Sequence, residues 1–226
     1  RKILAYKPAT ILIHKRYKQA EKKMKNVIYF LLILLSFKGI SQTTMADNTF
    51  EFDFKKAIKN SRHFETHTSS YFVQANKNQK KIQLRFKIKS VTKKKEGFDP
   101  NKFYLVSDKY KKRLRPVDMK HNYAMTTYLG FEKLIDEKPK DEKKTFWYSY
   151  NPSIKDSFLD FKIDGYSDVD NCINFGTKRK PRNKSIYFNH KKLKSNTVDV
   201  YFIVPKDFEN GKIYYGNELL ADFKVK

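Results

Sequence analysis

The clearest hydrophobic pattern in the chain is a strict alternation in residues 81–89. Every second residue from Ile82 to Ile88 is apolar, and the residues between them are polar or basic. A period of two with one apolar side predicts a β-strand that has one face in the core and the other in water.

Shorter apolar segments follow, separated by turn signals such as Asp99-Pro100-Asn101 and Gly216-Asn217. Many short strands without a repeated strand-helix alternation predict an all-β, mostly antiparallel sandwich or barrel. We also expect an irregular lead-in at residues 43–61, a short helix around 131–137 and an exposed loop at 138–144. The predicted strands are residues 82–88, 103–106, 114–117, 145–150, 158–163, 186–188, 197–204, 212–215 and 218–225.

A different kind of apolar segment lies near the start of the chain. Residues 27–37 carry no charge, follow Met24 and Lys25, and precede Gly39 and Ser41. A basic start, a short apolar stretch and a small-x-small pattern are the three parts of a secretory signal peptide. We therefore expect a signal-peptide helix at 24–41 with cleavage before Gln42. Spanning a membrane takes about 20 apolar residues, whereas runs of about 10–14 are often buried core helices, which is the alternative interpretation.

This segment determines the domain organisation and the cellular location that we expect. Residues 1–23 precede the signal peptide and are expected to lie outside the mature protein. Residues 42–80 form a lead-in, and residues 81–226 form one sandwich domain with an insertion at about 119–194. We expect a bacterial protein that is secreted, periplasmic or on the cell surface, touching the membrane only through the signal peptide before cleavage.

Composition adds two constraints to this picture. The 19 Phe and 15 Tyr residues supply large side chains for a sheet core. The single cysteine, Cys172, excludes an intrachain disulfide, so the fold depends on that core.

The C-terminal third resembles a known type of domain. Residues 200–207 (VYFIVPKD) and 212–215 (KIYY), after the early strand and residues 103–108 (FYLVSD), are similar to bacterial extracellular immunoglobulin-like domains of uncharacterised function. The resemblance covers about residues 81–226, except for the insertion. It implies an immunoglobulin-like β-sandwich on an exported protein, and it carries over no catalytic residue.

The charge is strongly positive, at +25 for the whole chain. Without residues 1–41, which carry ten basic and one acidic residue, it is +16. Basic clusters that converge on one face would give weak affinity for anions such as acidic polysaccharide. Only eight of the 49 basic residues are Arg, so we expect no specific nucleic-acid recognition, and a solvated surface is the alternative role for the lysines. The candidate anion-binding residues are Lys93, Lys94, Lys95, Lys111, Lys112, Arg113, Arg115, Lys178, Arg179, Lys180 and Arg182, with a further run at 191–194.

Two groups of residues are weak metal candidates. His63, Glu65 and His67 would share one face of an extended strand and could hold Zn²⁺, although surface polarity explains them as well. Asp164, Asp168 and Asp170 offer oxygens of the kind that Ca²⁺ binds, although the spacing departs from an EF-hand loop and a solvated turn explains it. We expect no cofactor.

Catalytic patterns are weak throughout. Cys172 has no basic activator beside it, and the sequence has no nucleophile elbow, Walker loop or dinucleotide turn. Aromatic residues at 145–150 could form a carbohydrate or protein platform, or fill the core. We therefore expect a non-enzymatic binding or structural module of the cell envelope that contacts a protein or polysaccharide. The alternatives are an exported hydrolase of an acidic polymer, which would need paired carboxylates in a cleft, and a basic protein that binds polysaccharide or nucleic acid.

Overall fold

The protein is described by a computed structural model that covers residues 43–46, 48–59, 77–122, 127–137, 148–174, 176–177 and 179–226. Sixteen β-strands and two short 3₁₀ turns, Pro100–Lys102 and Ser157–Asp160, account for its regular structure in these ranges. The expected signal peptide at 24–41 and the upstream residues 1–23 lie outside them. No helix in the described ranges is long and apolar enough to cross a membrane. In chain order the strands are β1 (Thr43–Ala46), β2 (Phe50–Lys59), β3 (Gln79–Ser90), β4 (Glu96–Phe98), β5 (Phe103–Ser107), β6 (Lys112–Leu114), β7 (Asp118–Asn122), β8 (Tyr128–Gly130), β9 (Lys133–Ile135), β10 (Ser167–Val169), β11 (Cys172–Asn174), β12 (Asn183–Phe188), β13 (Lys191–Leu193), β14 (Ser195–Pro205), β15 (Asn210–Tyr215) and β16 (Glu218–Lys224).

The strands form two larger sheets and two small ones. The first sheet has the order β1-β2-β3-β14-β7-β8, and the second has the order β10-β6-β5-β15-β16. All pairs within them are antiparallel except β10 with β6. The smaller sheets are β11-β12-β9 and the β4-β13 pair. The all-β prediction is confirmed.

One aromatic core joins the two larger sheets. Phe52 and Phe86 from the first sheet contact Phe103 and Tyr215 from the second, with ring centroids 4.7 to 5.8 Å apart. Such ring pairs contribute about 1 kcal/mol each beyond the area they bury. The apolar face of every central strand is therefore turned toward this shared interior.

The longest predicted strands are confirmed. On β3 the residues Ile82, Leu84, Phe86 and Ile88 are fully buried, and they alternate with outward-facing polar residues. Residue 195 of β14 pairs with residue 89 of β3, and this register continues to residues 205 and 79. The strands predicted at 103–106, 186–188 and 212–215 also fall within β5, β12 and β15, and the one predicted at 218–225 matches β16 to within one residue.

Four local predictions are wrong. The irregular lead-in expected at 43–61 contains β2, where Phe50 and Phe52 enter the core. The helix expected at 131–137 is β9, because its backbone pairs with β12. The strand expected at 158–163 begins instead as a 3₁₀ turn, because the Asp156 carboxylate accepts a hydrogen bond from the backbone N–H of Phe158. Residues 114–117 divide between the end of β6 and a loop before β7.

Residues 119–194, expected as an insertion, contribute to both larger sheets. They include most of β7 and all of β8 in the first sheet, and β10 at the edge of the second. Phe158, Phe161 and Ile163 pack against Tyr104 and Val106 on the outer face of the second sheet. The loop expected at 138–144 lies outside the described residues.

Candidate anion-binding site

Two lysine runs that are far apart in the sequence meet at one end of the first sheet. The first run, residues 93–95, immediately precedes β4. The second run, residues 191–194, consists of β13 and the residue after it. These two short strands pair antiparallel, with Leu193 opposite Glu96 and Lys191 opposite Phe98. The two runs therefore lie side by side, which is the condition that the anion-binding hypothesis requires.

An open pocket of about 300 Å³ lies where these runs meet the first sheet. Its volume is at the lower end of the range for ligand pockets, about 300–1,000 Å³. It can hold one small group of a larger ligand. We call it the lysine pocket; its lining residues are Glu51, Lys89, Ser90, Val91, Lys93, Lys194 and Ser195.

Backbone hydrogen bonds fix the walls of the lysine pocket. The Ser90 N–H donates to the Lys194 carbonyl at 2.7 Å, and the Lys93 N–H donates to the Ser90 carbonyl at 3.2 Å. The Val91 N–H donates to the Thr49 carbonyl at 3.0 Å. These bonds link the ends of β2, β3 and β14, so they fix the backbone that carries Lys89, Lys93 and Lys194.

The turn itself is stabilised by hydroxyl groups. Thr92 Oγ1 donates to Glu96 Oε1 at 2.6 Å and accepts from the Lys94 N–H at 3.2 Å. Lys93 adopts a φ of 59° in this turn, which is a left-handed conformation that non-glycine residues seldom take. The Thr92 hydroxyl therefore holds the backbone in a shape that presents Lys93 beside the pocket.

The charge of the lysine pocket is available to a ligand. Lys89, Lys93 and Lys194 are exposed, and within the described part of the chain none of them belongs to an ion pair. Three ammonium groups and one carboxylate, that of Glu51, give the lining a formal charge of about +2. Lys94, Lys95, Lys191 and Lys192 are also exposed nearby in the sequence and extend the positive field.

Arg113 does not belong to this exposed basic surface, and the prediction that it would is wrong. Its side chain is fully buried, and its guanidinium binds both oxygens of Asp168 at 2.7 and 2.8 Å. It also donates to the Phe158 and Phe161 carbonyls and lies 3.9 Å from the Phe158 ring centroid. The planar fork of arginine suits this bidentate, stacked arrangement.

Arg115 is buried in the same way and is likewise absent from the anion-binding surface. It binds both oxygens of Asp156 at 2.7 and 2.8 Å, and its Nε lies 2.6 Å from Asp170 Oδ1. Its guanidinium covers the Phe158 ring at 4.3 Å. We call Arg113, Arg115 and their carboxylate partners the arginine cluster; it ties residues 156–170 to β6.

The arginine cluster also accounts for two of the three calcium candidates. Asp168 and Asp170 face guanidinium groups, and only Asp164 of the three lies in an exposed position without such a partner in the described structure. The Arg113 hydrogen bonds lower the pKa of Asp168 below its usual range. Asp168 and Asp170 are exposed, as expected, and they also bind the guanidinium groups of Arg113 and Arg115.

The remaining predicted residues lie apart from the lysine pocket. Lys111 and Lys112 are exposed at the β5–β6 turn, and Lys112 Nζ donates to the Ser167 hydroxyl at 2.7 Å. Arg179, Lys180 and Arg182 are exposed in the connection between β11 and β12. Lys178 and the zinc candidates His63, Glu65 and His67 lie outside the described residues. Where the structure is described, no three His, Cys, Asp or Glu side chains are arranged to hold a metal ion.

A second basic group, which the sequence did not reveal, lies on the outer face of the first sheet. Lys133 Nζ is 3.4 Å from Asp118 Oδ1, and Lys120 on β7 is 3 % exposed. Desolvation lowers the pKa of Lys81 and of Lys120, against the opposing effect of Asp118. Because Lys120 is buried, its ammonium group is not accessible to a polymer at the surface.

Two arrangements bear on nucleophilic catalysis by a serine or a cysteine. The Asp99 carboxylate stands between Ser157, whose hydroxyl donates to it, and His190, whose Nε2 is 3.2 Å away. In a Ser-His-Asp triad the imidazole accepts the proton of the serine hydroxyl, whereas here the Ser157 hydroxyl donates to Asp99. Cys172 is exposed, and desolvation with the nearby Asp170 carboxylate raises the pKa of its thiol, which disfavours the thiolate.

The aromatic platform expected at 145–150 is described only for its last three residues. Tyr148 is buried in a small cluster with Ile135 and Ile186, so it fills a core. Tyr150 is exposed. Tyr148 and Tyr150 therefore do not form a joint exposed aromatic surface.

The sequence predicted only Lys93 and Lys194 of the seven pocket residues and missed five, namely Glu51, Lys89, Ser90, Val91 and Ser195. The alternation in β3 does place Lys89 on the outward face, which was the available signal. Its neighbours Glu51 and Ser195 come from strands separated from β3 by many residues, and their register is visible only in the paired sheet.

The fold and the lysine pocket together define a class of protein: a mostly antiparallel all-β domain with a basic pocket at one end of its larger sheet. Comparison with protein-family models, with curated proteins and with solved structures gives no match to this chain.

Proposed function

We propose that this protein is an exported, non-enzymatic binding module that holds an acidic polymer of the cell envelope at its lysine pocket. The observation that carries the proposal is the pairing of β4 with β13, which brings Lys93 and Lys194 together beside Lys89. Three ammonium groups without ion-pair partners in the described structure attract anionic groups, and their exposure lets a polymer approach.

The proposal includes an immunoglobulin-like arrangement of the two larger sheets. Support comes from two mostly antiparallel sheets that share one aromatic core, with the lysine pocket at one end of the first sheet. In sandwiches of this kind the loops at one end carry recognition, while the sheets hold them in place.

Export is the second part of the proposal, and it depends on the signal-peptide pattern at residues 24–41. N-terminal sequencing of the protein from its native host tests it. The expected first residue is Gln42, and a protein that retains residues 3–17 would contradict both the cleavage and the assignment of residues 1–23.

Polymer binding is tested by the affinity of the purified protein for heparin, used as an acidic polysaccharide probe. The pocket variant carries Lys89→Gln, Lys93→Asn and Lys194→Gln; asparagine is chosen because it tolerates the positive φ of Lys93. Three exposed charge contacts of about 0.5 kcal/mol each predict a roughly tenfold loss of affinity.

The matched control removes the same charge elsewhere. Lys59, Lys206 and Lys224 are exposed, and Lys206 follows β14 at the end opposite Ser195, roughly 30 Å away along the strand. This control, the opposite-end variant, carries Lys59→Gln, Lys206→Gln and Lys224→Gln and is expected to lose less than about twofold in affinity. Equal losses in the two variants would show a delocalised field and would overturn the proposal.

A further inference from the structure

The lysine pocket holds hydrogen-bond donors and an acceptor in one row. Glu51 on β2 lies directly opposite Lys89 on β3, and Lys89 in turn lies opposite Ser195 on β14. Neighbouring strands are about 4.8 Å apart, so a carboxylate, an ammonium and a hydroxyl group follow one another within roughly 10 Å. One ring-shaped ligand can reach all three groups.

The carboxylate of Glu51 limits which anions fit this row. A polyphosphate at neutral pH presents mainly acceptor oxygens and negative charge, which Glu51 repels. A sugar acid differs because it carries hydroxyl groups beside its carboxylate. Its hydroxyls can donate to Glu51 while its carboxylate accepts from the lysine ammoniums.

The pocket also offers an apolar wall. Val91 is 39 % exposed, and it lines the pocket beside Lys89 and Lys194. The aliphatic stems of lysines add apolar surface below their charged ends. A pyranose ring has a C–H face that can cover such a wall, whereas a phosphate group has none.

We infer that the lysine pocket binds a carboxylated, hydroxyl-bearing sugar unit of an acidic polysaccharide, an inference that rests on the proposed function. The lysine ammoniums bind the sugar carboxylate, Glu51 accepts a hydrogen bond from a ring hydroxyl, and Val91 packs against the C–H face. Ser195 supplies a further hydroxyl at the far end of the row.

The experiment compares polygalacturonate with inorganic polyphosphate at equal charge concentration, using the purified protein and its Glu51→Gln variant. The substitution weakens one hydrogen bond to the sugar and removes repulsion from the phosphate. We expect about fivefold weaker binding of polygalacturonate and stronger binding of polyphosphate. The Glu209→Gln variant changes an exposed carboxylate between β14 and β15, beyond the end of β14 that lies opposite Ser195, and is expected to alter neither affinity.

The pocket variant without its three lysines separates failure of this inference from failure of the proposed function. If that variant loses both polymers while Glu51→Gln strengthens both, the anion site stands and the sugar inference is overturned. Preference of the unchanged protein for polyphosphate would overturn it as well. If the three lysines affect neither polymer, the proposed function itself fails.

Discussion

The arginine cluster and the lysine pocket carry the same sign of charge and occupy opposite environments. Arg113 and Arg115 are buried, and each binds a carboxylate with two hydrogen bonds. Lys89, Lys93 and Lys194 are exposed around an open pocket. The positive charges of the arginines are paired with carboxylates inside the protein, whereas those of the lysines face solvent.

The chemistry of the two side chains explains this division. A guanidinium is planar, weakly hydrated and able to stack, so it can be buried between carboxylates and the Phe158 ring. An ammonium group is strongly hydrated and loses more when it is buried. The type of basic residue therefore separates the cations that hold the fold from those that are free to bind.

Removal of a buried arginine is expected to have the largest effect. Arg113→Met leaves Asp168 and two backbone carbonyls without their donor, so the free energy of unfolding should fall by about 3–5 kcal/mol. Urea denaturation followed by circular dichroism measures this change. The neighbouring exposed Lys112→Gln is the control, and a loss below about 1 kcal/mol for Arg113→Met would contradict a structural role.

Loss of one carboxylate of the arginine cluster should cost less. Asp156→Ala removes one of the two carboxylate partners of Arg115 and the cap of the 3₁₀ turn, for an expected loss of about 2 kcal/mol. Asp160→Asn in the same turn breaks only an exposed pair with Lys155 and should cost about 0.5 kcal/mol or less. Equal midpoints of urea unfolding for these two variants would contradict the stabilising role of Asp156.

Acid should act on the arginine cluster more than on the lysine pocket. Arg113 lowers the pKa of Asp168 in the folded protein, so its contribution is complete above the unfolded value of about 3.9. Stability should fall as the pH drops below about 4 toward the lowered pKa. We expect a shallower fall for Arg113→Met over this range and an unchanged fall for the pocket variant, measured as the melting temperature against pH.

The smallest expected effect on stability is that of the pocket variant. Its three exposed lysines make no ion pair in the described structure, so their loss should change the free energy of unfolding by less than about 0.5 kcal/mol. Urea denaturation tests this directly. A loss of 2 kcal/mol or more would mean that these lysines stabilise the fold, as the buried arginines do, and would contradict the division of roles between the two groups.

Sequence patterns predicted the parts of this fold in which local periodicity and burial agree. Alternation identified β3 and β14 because both are long strands with one face in the core. It failed for residues 158–163, where the chain is shaped by distant partners. Arg113 binds the carbonyls of residues 158 and 161 there, and no pattern within the segment reveals that contact.

The lysine pocket illustrates the same limit for function. The runs at 93–95 and 191–194 were visible as basic clusters, and so were Arg113 and Arg115. Which clusters meet and which are buried depends on strand pairing between residues about 100 positions apart. Composition alone therefore assigned one role to two groups that the fold uses differently.

The most direct test of this account is the salt dependence of heparin binding. The logarithm of the association constant is measured against the logarithm of the NaCl concentration for the unchanged protein, the pocket variant and the opposite-end variant. The account predicts that the slope becomes less steep by about three in the pocket variant, one for each lost ammonium contact, and stays nearly constant in the opposite-end variant. Identical slopes for the two variants would contradict it.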